Sequence, residues 1–374
     1  MFLRESNVMS EQLKYMYNPQ FFETLCPVIK EVVPDFRERQ FVHAVFDRTW
    51  PDLELKQRTR HVTKAFGACL PSDYSKAIEQ VLYICRLLQE KEKAQPRYPY
   101  IFLPDYIEQY GLNYFELSMR AIEESTKLVS AEFAIRPFIE KYPSQSLAMM
   151  LRWSKHSHPA VRRLSSEGCR PRLPWGMGLP FLKKDPTPIL PILENLKADP
   201  SDSVRRSVAN NLNDIAKDHP EIALSISQKW KGMSPETDWI VRHGCRTLLK
   251  RGHSTALRLH GLDPKAQGQI KKLHTDKEVA IGSSLNFQFK FVNIEKNPTR
   301  FRLEYVIDYI TRSGSTSTKI FKIAENSFDP GKPILYKRKK SFVDCSTRTH
   351  FEGRHRLRII ANGIEVGTAK FYVQ

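Results

Sequence analysis

Long apolar runs are missing from these 374 residues, so no transmembrane helix is expected. The first residues, Met1-Phe-Leu-Arg-Glu-Ser, lack the charged-then-apolar pattern of a signal peptide, which places the chain in the cytoplasm. Cysteine is sparse. Cys26, Cys69, Cys85, Cys169, Cys245 and Cys345 form no C-x-x-C pair and flank no spaced pair of histidines. A disulfide framework or zinc site is therefore not expected, and the six read as buried or half-buried thiols in a reducing compartment. Acids are also in deficit, with 41 Asp and Glu against 59 Lys and Arg. The resulting +18 points to a polyanionic partner, nucleic acid ahead of an acidic membrane.

What is present divides in two. From about residue 18 to 260 the apolar residues recur at three and four, which predicts helices over 35–46, 53–66, 73–88, 114–127, 132–141, 201–217 and 236–250. Within 201–217 the expected buried stripe is Val204, Val208, Leu212 and Ile215. Three segments open on a capping residue and proline and go on to a branched aliphatic followed by a basic pair: His158-Pro159, Asp199-Pro200 and Ser234-Pro235. Aligning Val161, Val204 and Val241 gives intervals of 43 and 37 residues, the period of HEAT-like helical pairs. After Leu262 the period becomes two, as in Leu285, Phe287, Phe289 and Phe291, and Asn362-Gly363 predicts a tight hairpin. About seven short strands in this stretch indicate an immunoglobulin-like sandwich. The expected architecture is mainly α: a HEAT-like α-solenoid over 1–262, then a small all-β Ig-like sandwich over 265–374. The second part holds 21 basic and 10 acidic residues, a net +11 that makes it a candidate DNA-binding accessory domain.

Stacked helical pairs present a concave row of equivalent positions. Here that row carries Arg163, Arg205, Arg206, Asn210, Arg242 and Arg246, residue types that contact phosphate without reading sequence. A salt-bridged outer face would use the same residues. Lys337, Arg338 and Lys339, with Arg354 and Arg356, form two further basic clusters in the sandwich. Among the position equivalents Glu167, Asn210 and Thr247, only the first is acidic. Its helix must end at once, because Gly168 follows and Arg170 precedes Pro171. A carboxylate at a helix C-terminus opposes the dipole by about 0.3–1 kcal/mol, which calls for a compensating partner such as Arg163 or for a function. Arg170 and Arg172 flank a loop stiffened by Pro171 and Pro174, which holds Trp175 off any helix. Such an indole either stacks on a nucleotide or plugs a seam between repeats. Glu132 is placed in a first helical turn, where acids are common for dipole reasons.

The runs 53–58, 114–119, 130–137, 161–164, 166–168 and 170–176, with Asp199-Pro200, 203–210 and 212–220, resemble the AlkC family of DNA alkylation-repair proteins. The resemblance covers roughly residues 18–260, and the C-terminal part is similar to the Ig-like extension of some members. It implies a bacterial glycosylase, at the nucleoid when on DNA, that cuts the N-glycosidic bond of cationic methylated bases in duplex DNA. The chief substrates would be 3-methyladenine and 3-methylcytosine, taken without extruding the base. It places the active-site acids on Glu132 and Glu167 and the active-site tryptophan on Trp175. A cationic base needs little or no protonation to leave, and no metal or organic cofactor is expected. No lysine is marked as a Schiff-base nucleophile, and a monofunctional, monomeric enzyme is expected.

The competing reading is a non-catalytic HEAT scaffold that binds DNA or protein through the same concave face. A scaffold has no use for acids in a phosphate-lined groove. A helix-hairpin-helix glycosylase is disfavoured, since neither its glycine-rich hairpin nor a downstream catalytic Asp is found.

Overall fold

The computed structural model describes residues 13–91, 97–345 and 348–374. Two compact units divide it. One runs up to His219 and takes up Lys229–Gly244; the other comprises Pro220–Gln228 and Cys245–Gln374. Helix gives way to strand between Leu259 and Gly268, near the expected residue 262, yet the compact units part earlier in the chain. No helix among the described residues is long and apolar enough to cross a membrane.

The first unit is built of short helices that begin where the sequence offers a cap. Asn18 Oδ1 accepts from the Phe21 N–H to start Pro19–Val32, and His158 Nδ1 accepts from the Ala160 N–H to start Pro159–Glu167. Helices Pro159–Glu167, Asp202–Asp218 and Pro235–Gly244 pack side by side in that order and carry the three aligned valines. Val204, Val208, Leu212 and Ile215 are all buried, as the periodicity requires. Each such side chain removed from water stabilises the stack by about 1.5–3 kcal/mol.

Three local expectations are corrected. The middle repeat helix starts at Asp202, one residue after the expected 201, and leaves Pro200 outside its first turn, because Asp199 is held by Arg162 and accepts from the Ser201 N–H. The helix expected over 236–250 breaks at Cys245 into Pro235–Gly244 and Arg246–Lys250. Glu132 lies in the turn before helix Ile135–Lys141, not in its first turn.

The second unit contains a sandwich of β1 (Gly268–Thr275), β2 (Glu278–Val279), β3 (Ser284–Asn293), β4 (Thr299–Ile310), β5 (Thr316–Phe328), β6 (Ile334–Ser341), β7 (Gly353–Ala361) and β8 (Ile364–Val373). One sheet has the order β1-β3-β6, the other β2-β8-β7-β4-β5. Leu285, Phe287, Phe289 and Phe291 point into a core shared with Phe301 and Phe328. Asn362 and Gly363 join β7 to β8 with φ of 45° and 83°, the paired positive angles of a type I′ hairpin.

Candidate active site

Helix Pro159–Glu167 ends at Gly168, whose φ of −63° is ordinary. Space is what demands glycine there. A Cβ would meet the Ile135 side chain at 2.6 Å and Leu164 O at 3.0 Å. Glu167 therefore sits at a tightly packed helix end with only 7% of its side chain accessible. Its dipole penalty is answered by two arginines, since Arg170 donates to Oε1 at 2.6 Å and Arg163 lies 3.9 Å from the same oxygen. Glu132 is somewhat more open, at 17%. Its Oε2 accepts from the Ser130 hydroxyl at 2.8 Å and lies 2.8 Å from Arg163, which also donates to Ser130. Arg163 thus links the two acids.

Arg170 extends the cluster inward, donating from Nε to Asp214 at 2.9 Å, and Lys217 pairs with the other Asp214 oxygen. Burial opposes the Arg170 charge, but Glu167 and Asp214 outweigh it and hold the guanidinium above its usual range. Positive and negative groups alternate from Glu132 to Lys217, so each acid faces a cation. Among the described residues, Glu132 Oε1 and Glu167 Oε2 accept no hydrogen bond, which leaves one oxygen of each acid for water or substrate.

Trp175 lies on a loop, half exposed at 49%, with a left-handed backbone (φ 62°). It forms part of the wall of a cavity of about 450 Å³ together with Lys56, Tyr98, Ser130 and Phe133. Elsewhere in the wall, Arg60 grips Asp105 with two hydrogen bonds of 2.8 and 2.9 Å and Glu108 with one of 2.7 Å. Burial and the neighbouring Asp105 push the Glu108 carboxyl above its ordinary value.

The structure brings Glu132, Arg163, Glu167 and Arg170 together, while the phosphate candidates have varied surroundings. Arg172 is bidentate on Asp218, Arg205 donates to the Asp199 and Pro200 carbonyls, and Arg206 pairs with Asp202. Asn210 meets His243, and Arg242 and Arg246 are half-buried. In the sandwich, Lys337 and Lys339 point outward from edge strand β6 opposite Gln288 and Asn286. Arg338 and Lys340 lie on the core-facing side of that edge, over the rings of Tyr336 and Phe321. Arg354 and Arg356 are exposed on β7, an interior strand, and Arg356 pairs with Glu365. Sequence reasoning missed Asp214, the Arg60 cluster and, above all, Arg136. That arginine is fully buried, and burial pulls its pKa down to about 10. No short-range spacing could have found its partners, 32 to 41 residues away. Among the described residues no cluster of His, Cys, Asp or Glu could hold a metal ion.

The fold and site define a HEAT-repeat unit carrying an arginine-linked acid pair, followed by an Ig-like domain. Comparison with known proteins agrees. Residues 189–219 match the HEAT repeat, and residues 269–374 match the C-terminal Ig-like domain of the uncharacterised protein YhaZ. YhaZ of Bacillus subtilis (strain 168), an uncharacterised protein, is 40% identical over 352 residues, covering 94% of this chain and 96% of YhaZ. Pseudomonas fluorescens alkylpurine DNA glycosylase AlkC, solved bound to DNA containing an abasic site analog, has a TM-score of 0.90 at 35% identity. The match covers 97% of this chain and 99% of AlkC. The chain belongs to the AlkC family.

Proposed function

We propose that this protein is a monofunctional DNA glycosylase that removes alkylated bases from duplex DNA and leaves an abasic site. The observation that carries the reading is the pair Glu132 and Glu167, linked by Arg163 in a chain that matches a glycosylase along nearly its whole length. The substrates are cationic lesions, 3-methyladenine and 3-methylcytosine, and the lesion is attacked without being drawn into a pocket.

In this reading the C1′–N bond breaks and its electron pair leaves with the base, which cancels the positive charge of the lesion. The sugar develops oxocarbenium character. Glu167, the drier acid, stabilises that charge, since a fixed carboxylate acts most strongly where water is excluded. Glu132, the more accessible one, takes the proton of the water that adds at C1′. The Trp175 indole attracts the cation through its face. Arg163 and Arg170 hold the acids rather than phosphates. Backbone contacts fall to Arg172, Arg205, Arg206, Asn210, Arg242 and Arg246, and in the sandwich to Lys337, Lys339, Arg354 and Arg356. No membrane or cofactor enters the scheme, and the protein acts as a cytoplasmic monomer.

The test is incubation with methylated duplex DNA and chromatography of the released bases. Release of 3-methyladenine and 3-methylcytosine is expected. Binding without release would favour the scaffold, and fast release of neutral hypoxanthine would require a protonating acid and a base pocket instead.

A further inference from the structure

Trp175 holds a backbone conformation that its side chain disfavours. Its φ of 62° belongs to glycine, yet Gly176, next in sequence, is not the residue that adopts a positive φ. Such strain persists only where the surroundings over-determine it. Two cations from two different helices do so here. Arg136, on helix Ile135–Lys141, donates from Nη1 to the carbonyls of Gly168 at 2.8 Å and Arg170 at 2.9 Å, and from Nε to the carbonyl of Met177. One buried guanidinium thus ties both ends of the loop. Lys56, on helix Leu55–Gly67, donates to the carbonyl of Trp175 itself, and its ammonium sits 5.0 Å from the Phe133 ring centroid. The Gly176 N–H closes a turn onto Leu173 O at 3.2 Å. Beside the indole lies the cavity of about 450 Å³, so an unrestrained side chain would have room to swing.

We propose that Lys56 and Arg136 are positioning residues that lock Trp175 in this left-handed conformation before DNA arrives. The effect on rate rests on the glycosylase reading; the clamp itself does not. A fixed indole needs no reorganisation when the sugar cation forms, and the cost of that order is met in folding. Arg136 also anchors the carbonyls that follow Glu167, so the acid and the indole hang on one guanidinium.

The test uses the full-length chain. Lys56 is exposed, so Lys56→Met is expected to fold. Without DNA, the Trp175 emission is isolated by subtracting the Trp175→Phe spectrum, and acrylamide quenching of that difference should rise in Lys56→Met. Unchanged quenching overturns the clamp, whatever the chemistry. Single-turnover excision should fall about 10–100-fold in Lys56→Met, the scale of a small misplacement. In a Trp175→Ala background the same substitution should cost nothing further. If the two effects instead multiply and the salt slope of binding falls by about 0.9, the share of one phosphate, Lys56 is a phosphate ligand and the proposal fails. Arg136→Lys keeps the charge but cannot span three carbonyls, and it should raise quenching in the same way. Should it fail to fold, the Lys56 measurements decide. If no variant, the parent included, releases a base, the glycosylase reading falls while quenching still judges the clamp.

Discussion

Arg170 and Glu167 meet at 2.6 Å with 7% of each side chain accessible, a buried ion pair three residues apart at the end of a helix. Because Arg170 also bonds Asp214, its removal would leave buried Glu167 with only Arg163 at 3.9 Å and buried Asp214 with only Lys217. Breaking one side of such a pair costs about 3–5 kcal/mol, far more than a surface pair. Arg170→Met should therefore lower thermal stability sharply, whereas Arg206→Met, which frees only exposed Asp202, should leave the unfolding temperature near the parent value. Equal melting curves would show that the Arg170 network contributes little.

Glu167→Gln keeps the shape and removes the charge. Under the glycosylase reading it should bind DNA like the parent and lose about 10²–10³-fold in single-turnover excision, the usual effect of losing one preorganised electrostatic group. Glu132→Gln should lose less, because its carboxylate is the more hydrated of the two. Parent rates in both variants would remove these acids from the chemistry.

The helical stripe, the repeat period and the Asn362-Gly363 hairpin were legible because each depends on neighbours within a few residues. Arg163 and Glu167 were visible as an i,i+4 pair, and Gly168 with Pro171 marked the helix end. The break at Cys245 was not legible, since the 3.6-residue pattern runs through it. Nor was the role of Arg136. Its three carbonyl partners are brought close only by folding. Charge counting also treated buried and exposed arginines alike. Arg170 and Arg172 look alike in sequence, but one is buried between acids and the other is a surface ion pair.

His355 offers a pH test in the sandwich. It is 1% exposed, its Nδ1 donates to Gly353 O at 3.0 Å, and its Nε2 accepts from the Ile310 N–H at 3.3 Å. Protonation would turn that acceptor into a donor facing a donor. Burial lowers its pKa, and burial likewise lowers that of nearby His350 despite Asp344. The unfolded chain, with histidine near about 6.5, then binds more protons than the folded one below that pH. Stability is full above about 6.5 and is lost as pH falls toward the depressed folded value. Unfolding temperature should decline between about pH 7.5 and 5.5, about one unit either side of that midpoint, and less steeply in His355→Gln. A flat profile in the parent would exclude a histidine contribution.

The last prediction concerns where the sandwich touches DNA. Lys337 and Lys339 project from the outer face of an edge strand, and among the described residues neither forms an ion pair. Arg356 is already held by Glu365 and Thr368, so its charge is partly neutralised before any ligand arrives. If the sandwich clasps the duplex, the two lysines should carry more of the counterion release than Arg356. Truncation is a poor test, because Pro220–Gln228 and the helices after Cys245 belong to the same compact unit as the strands. Charge removal in the full chain avoids that problem. Lys337→Gln with Lys339→Gln should weaken binding to undamaged duplex and flatten log affinity against log salt by about 0.9 for each phosphate no longer neutralised. Arg356→Gln should change the slope less. An unchanged slope in the double variant would mean that this face of the sandwich does not meet phosphate.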